Sequence, residues 1–492
     1  MTRKPKPDAD GPAEPGGSLE LPAQEMRRLG YEVVDRIVDR WVNLRDDSPW
    51  GFGTRKELEP LLSEPPPEGP RDPDEVLRTA LSQVLHFAGR IDHPRFFAFI
   101  PSSPTWPSVL GDLLATGFNV FQGTWLESAG PSQLELIVLD WFRSWLGLPE
   151  GAGGAFTSGG SAANLGALVA AREWAGWPAR PTIYVSDQGH SSLERGARIM
   201  GVPRESVRRI PTDELFRMDV RRLREALRKD REEGFDPLCI CGNAGATNTG
   251  AIDPLDVLAD LARTEGVWFH VDGAYGGFGI LAPGQERAFR GIEEADSVTL
   301  DPHKWLFQPY ETGCLLVKDV QVLEKAFRIL PEYLQDTALG TEQVNFADRG
   351  VQLTRGFRAL KVWMSVQTLG LGAFRDAIRA GIEHARRAEA WIRASERLEL
   401  MGPASLGIVC FRFRPEGAEW APEELDGLNQ RVQDEIVTAG VAMMSSTRLR
   451  GAFSLRLSIL NYRSTWADVR ETLEAVEAVG ERVAGGGEGT GE

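Results

Sequence analysis

The chain has 492 residues, 42% hydrophobic and 26% charged, with a formal net charge of −16. That length predicts about two to four domains, and the acidity, with no basic run, excludes nucleic acid as an expected partner. No stretch of about twenty apolar residues is present to span a membrane, and four cysteines without metal-ligand spacing predict reduced core thiols and no metal site.

Residues 1–18 are rich in proline, glycine and charge, and are expected to be a disordered tail. The basic start, Met1 to Pro7, has no apolar segment behind it, so no signal peptide is expected and the chain is placed in the cytoplasm. From Met26 to Trp41 the residues Met26, Leu29, Val33, Val34, Ile37, Val38 and Trp41 recur at helical spacing. A second helical pattern covers Val76–Phe87, after the break Pro65-Pro66-Pro67. Residues 19–104 therefore read as a helical arm with an apolar face to bury, against the next domain or a second subunit.

Beyond about residue 150 strands and helices alternate. Strands are predicted at Thr182–Ser186, Leu238–Gly242, Val267–Val271, Val298–Leu300 and Gly313–Val317. Helices are predicted at Ser192–Met200, Val220–Lys229 and Leu255–Thr264. The strands are continuous apolar runs, which argues for an α/β fold with a mostly parallel sheet covered on both faces. Ligands of such sheets gather at the strands' carboxyl ends. Long helices follow at Phe357–Leu369 and Phe374–Leu398. Phe453–Ile459 alternates as a half-exposed strand of a smaller sheet, and a helix follows at Trp466–Val479. The expected division is a large domain at 105–362, a smaller C-terminal α/β domain at 363–484 and a flexible tail at 485–492.

The chemistry-bearing residues sit at predicted strand ends. Asp272 ends one apolar strand, and Lys304 follows another in Asp301-Pro302-His303-Lys304-Trp305. A nitrogen nucleophile and an acid at neighbouring strand ends are the two parts that hold pyridoxal 5'-phosphate: the amine forms an imine, and the acid keeps the pyridine nitrogen protonated. Either residue alone would be an ordinary loop lysine or helix cap. Upstream, Thr157-Ser158-Gly159-Gly160-Ser161 opens a helix, and its glycines and helix start make a phosphate cradle. His190 follows a strand and can stack on an aromatic ring or donate a proton; a plain helix cap is the alternative. Thr247 follows a further strand, and Ala274 is small enough for a ring to lie against.

These motifs, in this order, resemble the group II pyridoxal-phosphate-dependent amino-acid decarboxylases, and most closely their aromatic-L-amino-acid branch. The likeness runs from about residue 20 to about 480. It includes His93-Pro94-Arg95-Phe96-Phe97-Ala98-Phe99 and Arg355-Gly356-Phe357-Arg358-Ala359-Leu360-Lys361. The resemblance implies the fold type I architecture, a homodimer with shared active sites, and pyridoxal 5'-phosphate held by Gly159, Gly160, Ser161, His190, Thr247, Asp272, Ala274, His303 and Lys304. It implies a substrate pocket with Phe99, Pro101 and Ser102, and Phe121 lent by the other subunit.

One position departs from the pattern. The family commonly has an Asp-Tyr pair where this chain has Asn345-Phe346. That tyrosine is the family's expected proton donor, and phenylalanine cannot donate, so Phe346 is expected to control how the reaction ends. Tyr333 lies upstream as a possible replacement, as does His190. The leading expectation is decarboxylation of an aromatic or bulky apolar L-amino acid to the amine. The alternative is oxidative deamination to an aldehyde. Other pyridoxal chemistry and a non-catalytic scaffold stand behind these two.

Overall fold

The computed structural model describes residues 19–101, 103–329, 332, 336, 340, 342–417 and 420–486. The expected tails at 1–18 and from 487, and the candidates Ser102 and Tyr333, lie outside the described residues.

The chain divides into two compact units: the described residues up to Ala88 other than 48–50, and the remainder. The first unit holds helices α1 (Ala23–Val42), α2 (Arg55–Leu62) and α3 (Pro73–Thr79). The Val76–Phe87 pattern is α-helical only to Thr79. It widens into a π turn at Ala80–Val84 and then tightens into a 3-10 turn at Leu85–Phe87. A capping box starts α2, where Thr54 and Glu57 satisfy each other's backbone N–H groups. Helix α1 fully buries none of its residues: Leu29, Val34, Ile37 and Trp41 are half-buried, and Met26, Val33 and Val38 are exposed.

The second unit is built on a seven-stranded sheet. Its strands are β1 (Gly153–Thr157), β2 (Pro181–Ser186), β3 (Val207–Ile210), β4 (Asp236–Asn243), β5 (Trp268–Gly273), β6 (Ser297–Leu300) and β7 (Gly313–Val317), in the order β1-β7-β6-β5-β4-β2-β3. Strands β3, β2, β4, β5 and β6 are parallel. Strand β7 is antiparallel to both β6 and β1, so β1 again runs with the majority. Every residue of β2, β5, β6 and β7 is buried, which is why their sequences read as unbroken apolar runs. The two short strands β1 and β3 carry no such run: one is Gly-Gly-Ala-Phe-Thr and the other Val-Arg-Arg-Ile.

Helices fill the crossovers. Before β1 come α4 (Trp106–Gly117) and α5 (Trp125–Leu146); then α6 (Gly160–Trp174), α7 (Ser191–Ile199), α8 (Val220–Glu232) and α9 (Leu255–Glu265). Their ends carry local signals. Asp219 caps α8 by accepting from Arg221 and Arg222 N–H, and α5 and α9 stop at Gly147 and Gly266, both with positive φ. The short helix α10 (Pro302–Trp305) follows β6, and α11 (Val320–Phe327) follows β7. The two long helices predicted after residue 357 are one run, α12 (Ala359–Ala394), broken at Gly370 where φ is +76°.

A four-stranded sheet completes the unit: β8 (Leu398–Leu400), β9 (Ile408–Phe413), β10 (Ser445–Leu449) and β11 (Ala452–Ser458), ordered β10-β11-β9-β8, with α13 (Pro422–Thr438) and α14 (Trp466–Ala484). Strand β11 corrects an expectation. It alternates in sequence, yet Ser454 to Ser458 are all buried. Leu455 and Leu457 face the small core, while Arg456 reaches loops of the large sheet. Residues 95–97, placed in the arm by sequence, hydrogen-bond beside this sheet. Phe97 N–H donates to Met443 C=O, and Ser458 N–H donates to Phe97 C=O.

A buried ion pair ties the segment before α12 to α5. Arg355 donates to Glu135 at 2.6 Å and to the carbonyls of Gln122 and Phe156. Breaking a buried pair by removing one partner costs about 3–5 kcal/mol, because the survivor is left charged and unpaired. Glu135→Ala is expected to lower stability by about that amount, read as a fall in the urea midpoint; an unchanged midpoint would show that Arg355 finds another partner.

Candidate active site

The same-direction strands bring five chain segments to one edge. The ends of β1, β2, β4, β5 and β6 deliver Ser158–Ser161, His190, Gly245–Thr247, Asp272–Tyr275 and Asp301–Lys304 to the wall of one cavity of about 300 Å3. All nine residues expected around a cofactor line it: Gly159, Gly160, Ser161, His190, Thr247, Asp272, Ala274, His303 and Lys304.

Asp272 is buried at the end of β5. Its Oδ1 accepts from Ala274 N–H at 3.1 Å, and its Oδ2 accepts from Asn164 Nδ2 at 2.9 Å. Lys304, on α10, places Nζ 2.9 Å from Asp301 Oδ2. Burial works against its charge, but Asp301 outweighs this with help from Asp272 and Tyr310, and the ammonium is held above the usual lysine value.

His190 lines the cavity and also caps α7, the alternative weighed for it from sequence. Its Nδ1 accepts from Ser192 N–H at 3.2 Å and lies 2.8 Å from Ser192 Oγ. Burial lowers its pKa, outweighing the pull of Asp272, so the neutral ring is favoured. His303 Nδ1 accepts from Thr312 N–H at 3.0 Å. That leaves its proton on Nε2, 3.6 Å from Asp301 Oδ2.

The turn before α6 is shaped by close approach. A Cβ on Gly160 would meet Ala274 Cβ and Asp301 Oδ2 at 2.9 Å. A Cβ on Gly313, in β7, would lie 2.4 Å from Gly159 Cα. Helix α6 starts here with no side-chain cap, offering backbone N–H groups and a positive dipole end to an anion.

These residues fit pyridoxal phosphate. The uncapped helix start suits its phosphate, Lys304 its aldehyde, and the Asp272 carboxylate its ring nitrogen. Asp301 Oδ1 is buried without a hydrogen-bond partner among the described residues, as expected of a wall made to face a polar ligand.

Comparison with known proteins decides the family. The model of the pyridoxal-dependent decarboxylase conserved domain matches residues 56–414. The chain belongs to the pyridoxal-dependent decarboxylase family. It is a carboxy-lyase with pyridoxal 5'-phosphate as cofactor, on the fold type I architecture. It is 40% identical to an aromatic-L-amino-acid decarboxylase of Bacillus atrophaeus over 95% of this chain and 98% of that protein. It is 32% identical to a phenylacetaldehyde synthase of Petunia hybrida, over 93% and 94%. Among solved structures, the tryptophan decarboxylase of Catharanthus roseus in complex with L-tryptophan superposes with a TM-score of 0.88 at 29% identity, covering 94% of this chain and 99% of that one.

Four of the remaining candidates can be placed, and none lines this decarboxylase's cavity within the single chain. Phe99 is exposed with φ +55°, Pro101 is buried and Phe121 half-buried. Phe346 lies in the core, apart from that cavity. Only 1% exposed, it belongs to the main core, with the guanidinium of Arg355 4.9 Å and that of Arg349 5.6 Å from its ring centre. An apolar ring beneath two cations packs; it does not reach a reacting carbon in this arrangement.

Sequence reasoning missed Asp301, Asn164, Ser192 and Asn243 in the cavity wall. Asp301 stood inside the quoted lysine motif. Asn164 had a visible signal as an amide inside the helical run Ala162-Ala163-Asn164-Leu165, where small apolar residues dominate. Arg456 was also missed: from β11 it donates to the carbonyls of Thr247 and Asn248.

The Gly313 contact yields a test. A methyl there meets Gly159 backbone, which no side-chain rotation relieves, and overpacking of this kind costs about 1–3 kcal/mol. Gly313→Ala is expected to displace the turn and weaken cofactor retention by about five- to a hundredfold, measured by absorbance after dialysis. Retention equal to wild type would mean that the turn tolerates the shift.

Proposed function

We propose that this carboxy-lyase decarboxylates an aromatic L-amino acid, releasing CO2 and the amine, and that it works as a cytoplasmic homodimer. The observation that carries the reading is the convergence of Lys304, Asp272, His190 and the Gly159–Ser161 turn on one cavity. The names of relatives supply the substrate class: an aromatic-L-amino-acid decarboxylase at 40% identity, and tyrosine and tryptophan decarboxylases at 31–35%.

Bound pyridoxal phosphate supplies a protonated ring that accepts the electron pair released when the bond from Cα to the carboxylate breaks. The chain's own residues set that up. Asp272, fixed by two N–H donors, keeps the proton on the ring nitrogen. Lys304 would be the amine that holds the cofactor's aldehyde carbon. The neutral His190 and the small Ala274 would flank its ring. Backbone N–H groups at the start of α6, with Ser161, take the phosphate, and His303 stands beside them. Thr247 lies near the ring on a loop held by Arg456. Orientation in this pocket selects which bond at Cα breaks.

Phe99, Pro101, Ser102 and Phe121 are proposed for the substrate side chain, Phe121 serving the partner's site. Exposed apolar residues of α1 support the dimer: Met26, Val33 and Val38 are large and exposed in the single chain. Four free cysteines suit a reducing compartment.

The functional test is a panel of twenty amino acids with CO2, amine, ammonia and peroxide measured together. Amine and CO2 in equal amounts from aromatic substrates is the expected result; ammonia with peroxide would replace this reading by the oxidative one. Lys304→Ala is expected to abolish turnover and borohydride-trappable cofactor. Asp272→Asn should lower kcat by at least about a hundredfold while cofactor is retained, since an amide supplies no balancing charge. Undiminished turnover in either variant would remove that residue from its role.

The assembly is tested by sedimentation, which should give one species of twice the chain mass of 54.2 kDa. A fully active monomer would overturn the dimer.

A further inference from the structure

Behind the cavity wall runs a chain of hydrogen bonds whose direction is fixed at both ends. Trp268 Nε1–H, which can only donate, gives to Ser297 Oγ at 2.8 Å. Ser297 Oγ lies 2.9 Å from His270 Nδ1, and His270 Nε2 lies 3.0 Å from Asn164 Oδ1. The single Asn164 amide nitrogen then serves two acceptors, Asp272 Oδ2 at 2.9 Å and Ser192 Oγ at 2.8 Å. Ser192 Oγ continues to His190 Nδ1 at 2.8 Å.

The Asp272 carboxylate only accepts, so Asn164 must turn its NH2 toward it and its carbonyl toward His270. His270 then donates from Nε2 and accepts the Ser297 hydroxyl proton at Nδ1. This requires a neutral ring, and burial lowers the His270 pKa to about 4. On the other branch Ser192 accepts from Asn164 and therefore gives its own proton to His190 Nδ1. With Ser192 N–H donating to the same atom, His190 keeps its proton on Nε2. Asn164, Ser192, His270 and Ser297 are all buried, so no water competes for these bonds.

We propose that Asn164 is a positioning residue that couples the two groups flanking the cofactor ring: one amide holds the Asp272 carboxylate and, through Ser192, keeps His190 neutral with its proton on Nε2. The proposal rests on the roles given above to Asp272 and His190. An asparagine that merely filled a polar gap in α6 would support stability but leave the state of His190 alone. The charged groups facing His190 are Asp272, Lys304, Asp301 and Arg195; Asp272 faces His270.

The test is read on the full chain before cofactor is added, so its outcome does not depend on turnover. The chain has six histidines, few enough for 15N-histidine NMR. His190→Gln and His270→Gln assign the two signals. In wild type both rings are expected as the Nε2–H tautomer at pH 7. Asn164→Ala should shift the His190 signal toward a mixed-tautomer pattern and raise its titration midpoint. Ser192→Ala should raise the midpoint likewise, and Ser192→Thr, which keeps the hydroxyl, should restore it.

Loss of the Asn164 bond should also weaken cofactor binding on the order of tenfold, as for a hydrogen bond to a charged group. A His190 signal unchanged in Asn164→Ala and Ser192→Ala would overturn the proposal, whatever happens to cofactor affinity. Should Asn164→Ala fail to fold, the contrast between Ser192→Ala and Ser192→Thr decides: no difference between them overturns it.

Discussion

Six strands that run one way are the constraint on which the site depends. A parallel sheet needs a crossover after each strand, and every crossover leaves from the same edge. The ends of β1, β2, β4, β5 and β6 therefore converge without any long-range element built for the purpose. Helices on both faces keep water from the sheet, so polar groups within it and at that edge must satisfy one another. Asp272, Asn164, His270 and Ser297 meet that demand with direct bonds of 2.9–3.0 Å.

The two buried ion pairs differ in what surrounds them. Glu135 and Arg355 have side chains 0% and 3% exposed, with further bonds to backbone carbonyls, so the pair is locked. Each carboxylate keeps one oxygen without a partner among the described residues, Glu135 Oε2 and Asp301 Oδ1, but Lys304 faces a cavity with its side chain 21% exposed. An amine that must exchange partners suits the second setting: its carboxylate is close enough to keep it charged, yet the pair lacks the extra bonds that would fix it.

Much of this was legible in the chain. Continuous apolar runs gave away β2, β4, β5, β6 and β7, because strands covered on both faces need nothing else. The residues at their ends could be named before any coordinates, since a lysine and an acid at neighbouring strand ends have few common purposes. Strands β1 and β3 escaped because Gly153–Thr157 and Val207–Ile210 draw their burial from neighbours and carry little of it in their own composition. The setting of Phe346 was hidden for a related reason. Its place in the motif pointed to the reaction, but its packing beneath Arg355 depends on α5, two hundred residues upstream, which no local pattern shows. Asn164 and Ser192 act through geometry between α6 and α7, and pairing of that kind is invisible until the sheet brings the two helix starts together.

The bond from Arg456 reaches furthest. Its guanidinium, rooted in the small sheet, grips two main-chain carbonyls of the loop that carries Thr247. Because it reads backbone and not side chains, the grip is indifferent to what residues 247 and 248 are. The loop can therefore diversify in sequence while keeping its place. The small sheet is thus a jig for the large one: a fragment ending before β11 would carry every residue that faces the cofactor, yet lack the fixture that sets one wall of its pocket.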